Sequence, residues 1–232
     1  MNAQPFESHR GWKRVFRSEG LTFGIIGPIE GYPDTPGPQL EAQDQRARQA
    51  EAAGFGALWL RDVPFEDPAF GDLGQIHDPM VYAGWLAAHT KEIAIGTAGI
   101  VAPLRNPVEV AKQAASLDGL TGGRFLLGLS SGDRPTEYPA FGVPFEDRAD
   151  RLRGARTLIG VLTERSYPSF ETRHFGRLTG DLDLVPKPLS GPRLPILAIG
   201  RGGQTIDWIA ENMDGWIWHY SDPRRLPEVI AL

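Results

Sequence analysis

A chain of 232 residues, 41% hydrophobic and 23% charged, has the size and composition of one globular domain with a substantial core. Its net charge of -5, without a run of Lys or Arg, argues against nucleic acid or an anionic membrane as a partner. The absence of Cys excludes disulfides, zinc thiolate sites, iron–sulfur clusters and thiol nucleophiles together, and no apolar stretch has the length of a membrane span or the form of a signal peptide, so a cytoplasmic location is expected.

Leu21 to Ile26 is an apolar run closed by Gly27-Pro28 and reads as a first strand, with the Pro- and Gly-rich stretch Gly31 to Pro38 as its exit loop. Gln39 to Ala53 is rich in helix formers and stops at Gly54, which suits the position just past a helix end. Ala57 to Leu60 is a second strand, followed by a long charged and aromatic loop that carries Asp62. Asp78-Pro79 caps and opens a helix that continues from Met80 to His89. Ile93 to Ile100 is a third strand in which Gly96, Thr97, Ala98 and Gly99 are small where a strand usually carries bulk, so either a flat ring or a closely packed helix lies against it.

Pro107 opens a helix through Leu117, Asp118 to Gly123 turns the chain, and Phe125 to Leu129 is a fourth strand that exits through Ser130 to Arg134. Glu146 to Leu162 is an amphipathic helix striped with Leu152, Ala155, Leu158, Ile159 and Leu162. From Thr163 to Arg193 the rhythm breaks into an inserted excursion, where His174 to Leu178 and Leu182 to Val185 can pair as a hairpin around Thr179-Gly180. Ile196 to Ile199 and Gly215 to His219 are the fifth and sixth strands, with a helix from Thr205 between them. Such units specify a parallel sheet covered by helices, open or closed into a barrel, in a single domain over residues 1–232.

The turn Gly200-Arg201-Gly202-Gly203-Gln204-Thr205 brings glycines, unpartnered helix N–H groups, a forked cation and a hydroxyl together, which suits an anion and a phosphate monoester in particular. The alternative is that the glycines only turn the chain. None of the five histidines is spaced as a metal-ligand pair, and His219, at the end of the sixth strand, is the one placed to act as a proton donor or substrate contact. Asp62, Asp133, Arg134, Glu137 and Tyr138 lie on loops at the same end, either lining a substrate pocket or forming an ion-pair cluster that orders the loops. Phe65, Phe70, Tyr138, Phe141 and Trp218 are aromatic residues that can enclose such a pocket.

Several stretches, AEAAGFGALWLRD around Glu51 and Gly54-Phe55, the long run from Lys91 to Asp133, and FGVPFEDR from Phe141 to Arg148, resemble the bacterial luciferase-like flavin-dependent monooxygenases in matching order over roughly residues 20 to 220. The resemblance implies a TIM barrel, reduced FMN as cofactor or cosubstrate, and oxidation of a small organic substrate with oxygen; some members instead use a deazaflavin coenzyme as a hydride carrier. It places Thr97, Ala98 and Gly99 where the family sets an unusual peptide bond against the isoalloxazine ring. Ser131 then stands where a basic residue often meets the phosphate, and Arg201 to Thr205 match the phosphate grip, with Arg201 where a carboxylate can occur. Val63 and Pro64 occupy the positions after Trp59-Leu60 where a catalytic histidine is found in some members, so no such histidine carries over. A separate flavin reductase and a second copy of the chain are the expected protein partners, and a flavin-binding protein without activity is the non-enzymatic alternative. Six strands fall two short of an eight-stranded barrel, which usually takes about 250 residues, so an incomplete barrel is expected: truncated from a longer protein, with its last strands disordered, or completed by a partner chain.

Overall fold

The structure is a computed structural model that describes residues 6–17, 19–32, 34–35 and 37–219, with the isolated positions 222, 224 and 227. In chain order its elements are α1 (Arg10–Val15), β1 (Gly24–Ile26), α2 (Gln43–Ala52), β2 (Ala57–Leu60), α3 (Pro79–His89), β3 (Ala94–Thr97), β4 (Ile100–Val101), α4 (Pro107–Thr121), β5 (Phe125–Ser130), α5 (Arg148–Glu164), β6 (Ser169–Thr172), β7 (Gly176–Thr179), β8 (Ile196–Ile199), α6 (Ile206–Asn212) and β9 (Gly215–Ile217). The main sheet is parallel throughout, in the order β1-β2-β3-β5-β8-β9, with β4 continuing the line of β3 against β5 beyond a cis Ala98–Gly99 peptide. Six strand positions therefore form an open half-barrel, the α/β architecture and strand number that the sequence implies.

Alternation along the strands divides the core into two layers. Ala57, Trp59, Ala94, Leu126 and Leu197 turn to the concave side and pack with Phe6 and Trp12. The intervening Leu58, Leu60, Ile95, Leu127 and Ile196 turn outward, against Leu86, Val110, Ala114 and Leu158 of the helices. The small residues of the third strand have their explanation on the concave side. A side chain on Gly96 would collide with the Trp59 ring, and one on Gly99 with Ile199, so neighbouring strands supply the bulk; it is neither a helix nor, at Gly96, a ligand that requires glycine.

Several expected boundaries move for local reasons. The helix expected from Gln39 begins only at Gln43, because the Glu30 carboxylate takes the N–H groups of Gln39 and Leu40, and Leu40 and Ala42 adopt positive φ. α1 has no counterpart in the sequence reading; His9 caps it by accepting from Trp12 N at 3.0 Å, and Gly11 N donates to Gly123 O at 2.9 Å, which seats the helix on the amino end of the sheet. The hairpin in the excursion is real but pairs β6 with β7, one strand upstream of the expected pairing, and Phe170, Phe175 and Leu178 fold it onto the core.

Glu51, one of the residues shared with the resembling family, has a structural task. One carboxylate oxygen accepts from Glu92 N at 2.6 Å, Ile93 N at 2.8 Å and Lys91 N at 3.0 Å, which locks the end of α2 to the entrance of β3. Partial burial pushes the carboxyl up, but the three N–H groups outweigh it and hold Glu51 below the usual carboxylate range. Among the described residues no helix is long and apolar enough to cross a membrane.

Candidate active site at the carboxyl ends of the strands

Parallel strands deliver their exit loops to one end of the sheet, and there the loops after β2, β3, β5, β8 and β9 enclose a cavity of about 320 Å³. Ala98 and Gly99 form one wall. Ser131 and Arg134 reach it from β5, Arg201 and Gly202 from β8, Asp62 from β2 and His219 from β9. Residues separated by more than 150 positions in sequence are thus gathered as the strand pattern requires.

The turn after β8 is shaped for close approach. Gly202 has φ +59°, and a Cβ there would lie 2.5 Å from Leu152 Cδ2, so only glycine fits between α5 and the Ser131 side chain. Arg201 is exposed and, among the described residues, its guanidinium has no ion-pair or hydrogen-bond partner. Gln204 N closes the turn onto Arg201 O at 2.9 Å, while the N–H groups of Gly202 and Gly203 have no acceptor among the described residues. Among the described residues, the cavity therefore meets the unpaired Arg201 guanidinium, the free Gly202 N–H and the Ser131 hydroxyl, and Gly203, with its own free N–H, follows in the same turn outside the lining.

Other residues singled out in the sequence do different work. Thr97 is fully buried, with Oγ1 donating to Gly128 O at 2.8 Å and accepting from Gly128 N at 2.9 Å, so its hydroxyl is spent on β5 and does not face the cavity. Gln204 accepts from Arg153 Nε at 2.7 Å and donates to Ala149 O at 2.9 Å, tying the turn to α5. Thr205 caps α6 by accepting from Trp208 N at 3.2 Å. Neither these two residues nor Gly203 lines the cavity. Tyr138 lies beneath the site instead of in it: its hydroxyl donates to the Ser131 carbonyl, its ring meets Phe145 edge-on, and burial pushes its pKa up to about 12.

Asp62 reaches the cavity wall, but its carboxylate is already occupied. It accepts from Val101 N at 2.9 Å and from Arg105 at 2.8 and 2.5 Å, and the same guanidinium bonds Asp78 at 2.7 Å. Of the aromatic residues expected around the pocket, Phe70 underlies the Arg134 guanidinium at 4.7 Å and Phe65 pairs with Phe141 at 5.9 Å, and neither they nor Trp218 line the cavity.

Glu137 is the cavity residue that the sequence leaves undistinguished among the loop charges. Arg134 caps a 3₁₀ turn over Pro135–Phe141, and three-residue spacing in such a turn stacks the two side chains. Burial raises the Glu137 carboxyl above the usual range; Arg134 opposes that, and the charges of Asp62 and Asp133 add to it. The Arg-x-x-Glu spacing at a strand exit was the available signal. Among the described residues no cluster of His, Asp and Glu is arranged to hold a metal ion.

The parallel half-barrel thus carries at its carboxyl end a cavity bounded by small residues, a glycine turn and a buried polar pair. The profile of the luciferase-like monooxygenases matches residues 21–232, and the chain belongs to that family. An uncharacterized protein of Mycobacterium tuberculosis is 30% identical over 203 residues, covering 80% of this chain and 67% of that protein. The F420-dependent hydroxymycolic acid dehydrogenase of M. tuberculosis is 35% identical over 178 residues, covering 74% of this chain and 47% of the dehydrogenase. Among solved structures, the oxygenating constituent of 3,6-diketocamphane monooxygenase from Pseudomonas putida, in complex with FMN, superposes with a TM-score of 0.67 at 16% identity, covering 84% of this chain and 57% of that one. The chain thus spans between about half and two thirds of the length of these relatives.

Proposed function

We propose that this protein is a flavin-dependent oxidoreductase, a monooxygenase that uses reduced FMN and oxygen on a small organic substrate. The observation that carries the reading is the union, in one cavity, of an unpaired Arg201 guanidinium beside the Gly202-Gly203 turn with the small wall of Ala98 and Gly99. The donor set suits a phosphate monoester: Arg201, the Gly202 N–H and Ser131 would hold it. Ala98 and Gly99 leave room for a flat ring along the strand ends. Bound there, reduced flavin would supply the electrons for oxygen activation.

The chain's own part is binding, orientation and water exclusion. Ile199 lines the cavity above the Trp59-filled interior, so the ring side of the site is backed by apolar surface. Asp62 and Arg105 fix the β2 exit, and Tyr138 fixes the β5 exit, so that the two loops face each other across the cavity. His219 stands at the exposed mouth, positioned to hand a proton to substrate. Replacement by Asn is expected to lower turnover and alter the pH–rate profile while FMN affinity stays unchanged; an unaltered profile removes His219 from the chemistry. Electrons would come from a separate flavin reductase, since the sequence carries no nicotinamide-binding fingerprint.

A second reading, hydride transfer with a deazaflavin, is favoured by the 35% identity to the F420-dependent dehydrogenase. The absorption spectrum of the protein purified from a host that makes both cofactors decides between them. A flavin band, or FMN uptake on titration, supports the first reading and a deazaflavin band the second. Failure to take up either cofactor defeats both.

A further inference from the structure

The Arg134–Glu137 pair is incomplete as it stands. Each side chain is only 5% exposed, and both line the cavity. The guanidinium is fixed by a bond from Nη2 to Asp72 O at 3.1 Å and by the Phe70 ring beneath it. Its Nη1 lies 3.9 Å from Glu137 Oε1, too far for a hydrogen bond, and neither atom has another partner among the described residues. A buried donor and a buried acceptor, side by side and unspent, are costly unless something completes them.

We propose that Arg134 and Glu137 form a recognition subsite for an uncharged group that presents a carbonyl beside an N–H, as in a lactam, an imide or a pyrimidinedione. The carbonyl accepts from Arg134 Nη1 and the N–H donates to Glu137 Oε1. Charge selects the class. The pair sums to zero, so a carboxylate drawn to Arg134 is repelled by Glu137, and an ammonium drawn to Glu137 is repelled by Arg134. A neutral donor–acceptor edge satisfies both without either penalty. This rests on the reading of the cavity as an oxidoreductase site, and two sources carry the same chemistry there: the substrate, or the carbonyl and N–H edge of the flavin ring itself.

The test uses the full chain titrated with uracil, with 1,3-dimethyluracil, which lacks both N–H groups, and with benzoate and benzylamine as charged probes. Each series is run with and without saturating FMN. Uracil is expected to bind at least about tenfold more tightly than its dimethyl analogue, the scale set by a recognition site that leaves buried polar groups unpaired, and more tightly than either charged probe. In the double variant Arg134→Met/Glu137→Met, which leaves no orphan charge, the ratio is expected to fall to about one. Preference retained under FMN assigns the subsite to substrate, whereas preference abolished by FMN assigns it to the flavin edge. Preference without any FMN binding keeps the subsite and defeats the flavin reading. No measurable preference for uracil, tighter binding of either charged probe, or an unchanged ratio in a folded double variant overturns the proposal; should that variant not fold, the wild-type ratios decide.

Discussion

Replacing Arg105 by Met is expected to destabilise the fold by about 3–5 kcal/mol, the range for removing one partner of a buried ion pair. The Asp62 side chain is 3% exposed and receives two hydrogen bonds from Arg105, at 2.8 and 2.5 Å. Without the guanidinium, the carboxylate keeps only Val101 N and remains a largely uncompensated charge in a place that water reaches poorly. The damage extends to α3, because the second nitrogen contact of Arg105 is Asp78, whose other oxygen caps that helix through Met80 N and Val81 N. Urea denaturation followed by circular dichroism measures the loss. The double variant Asp62→Asn with Arg105→Met should recover part of it, since the orphan charge is then gone. A loss below about 1 kcal/mol in the single variant, the scale of a surface pair, would show that the cluster is solvated and that Asp62 is free to meet a ligand.

Ala57 to Leu60 and Phe125 to Leu129 were legible as strands because a parallel strand covered on both sides is a short apolar run between turn residues, and that signal is local. Asp78 and Pro79 were legible as a helix start because a cap needs only its own next residues. The glycine turn after β8 was visible in its glycines, and the structure sets it beside Ser131 and the Ala98–Gly99 wall as parallel topology demands. Asp62 was legible as a residue at the right end of the barrel, but its partner lies 43 positions away on another loop, and no local pattern announces an ion pair of that kind. The run of small residues marks Gly96, but the element it packs against is not legible, since its constraint is the Trp59 ring on the adjacent strand. α1 was missed because its six residues carry too little periodicity, and what holds it is the fit of Gly11 against Gly123. The shifted hairpin follows the same rule: β6 and β7 are only four residues each, and packing of Phe170 and Phe175 on the core selects their register.

Arg201→Ala is expected to weaken FMN binding roughly ten- to a hundredfold, the scale of one charge-assisted hydrogen bond, while leaving riboflavin affinity within about twofold. The distinction follows from what the two ligands share. On the proposed reading both would present the same ring to Ala98 and Gly99, and only FMN carries the phosphate that Arg201, the Gly202 N–H and Ser131 would meet. Since Arg201 is exposed and makes no other ion pair among the described residues, its removal leaves no orphan partner, and stability should change little. Exposure also means that the contribution is screened, so the difference between wild type and variant should narrow as salt is raised. Fluorescence titration of both ligands at two ionic strengths provides the measurement. Equal losses for FMN and riboflavin would place the guanidinium against the ring or in the scaffold, and the turn after β8 would then be a chain reversal whose glycines answer to Leu152 and Ala149 alone.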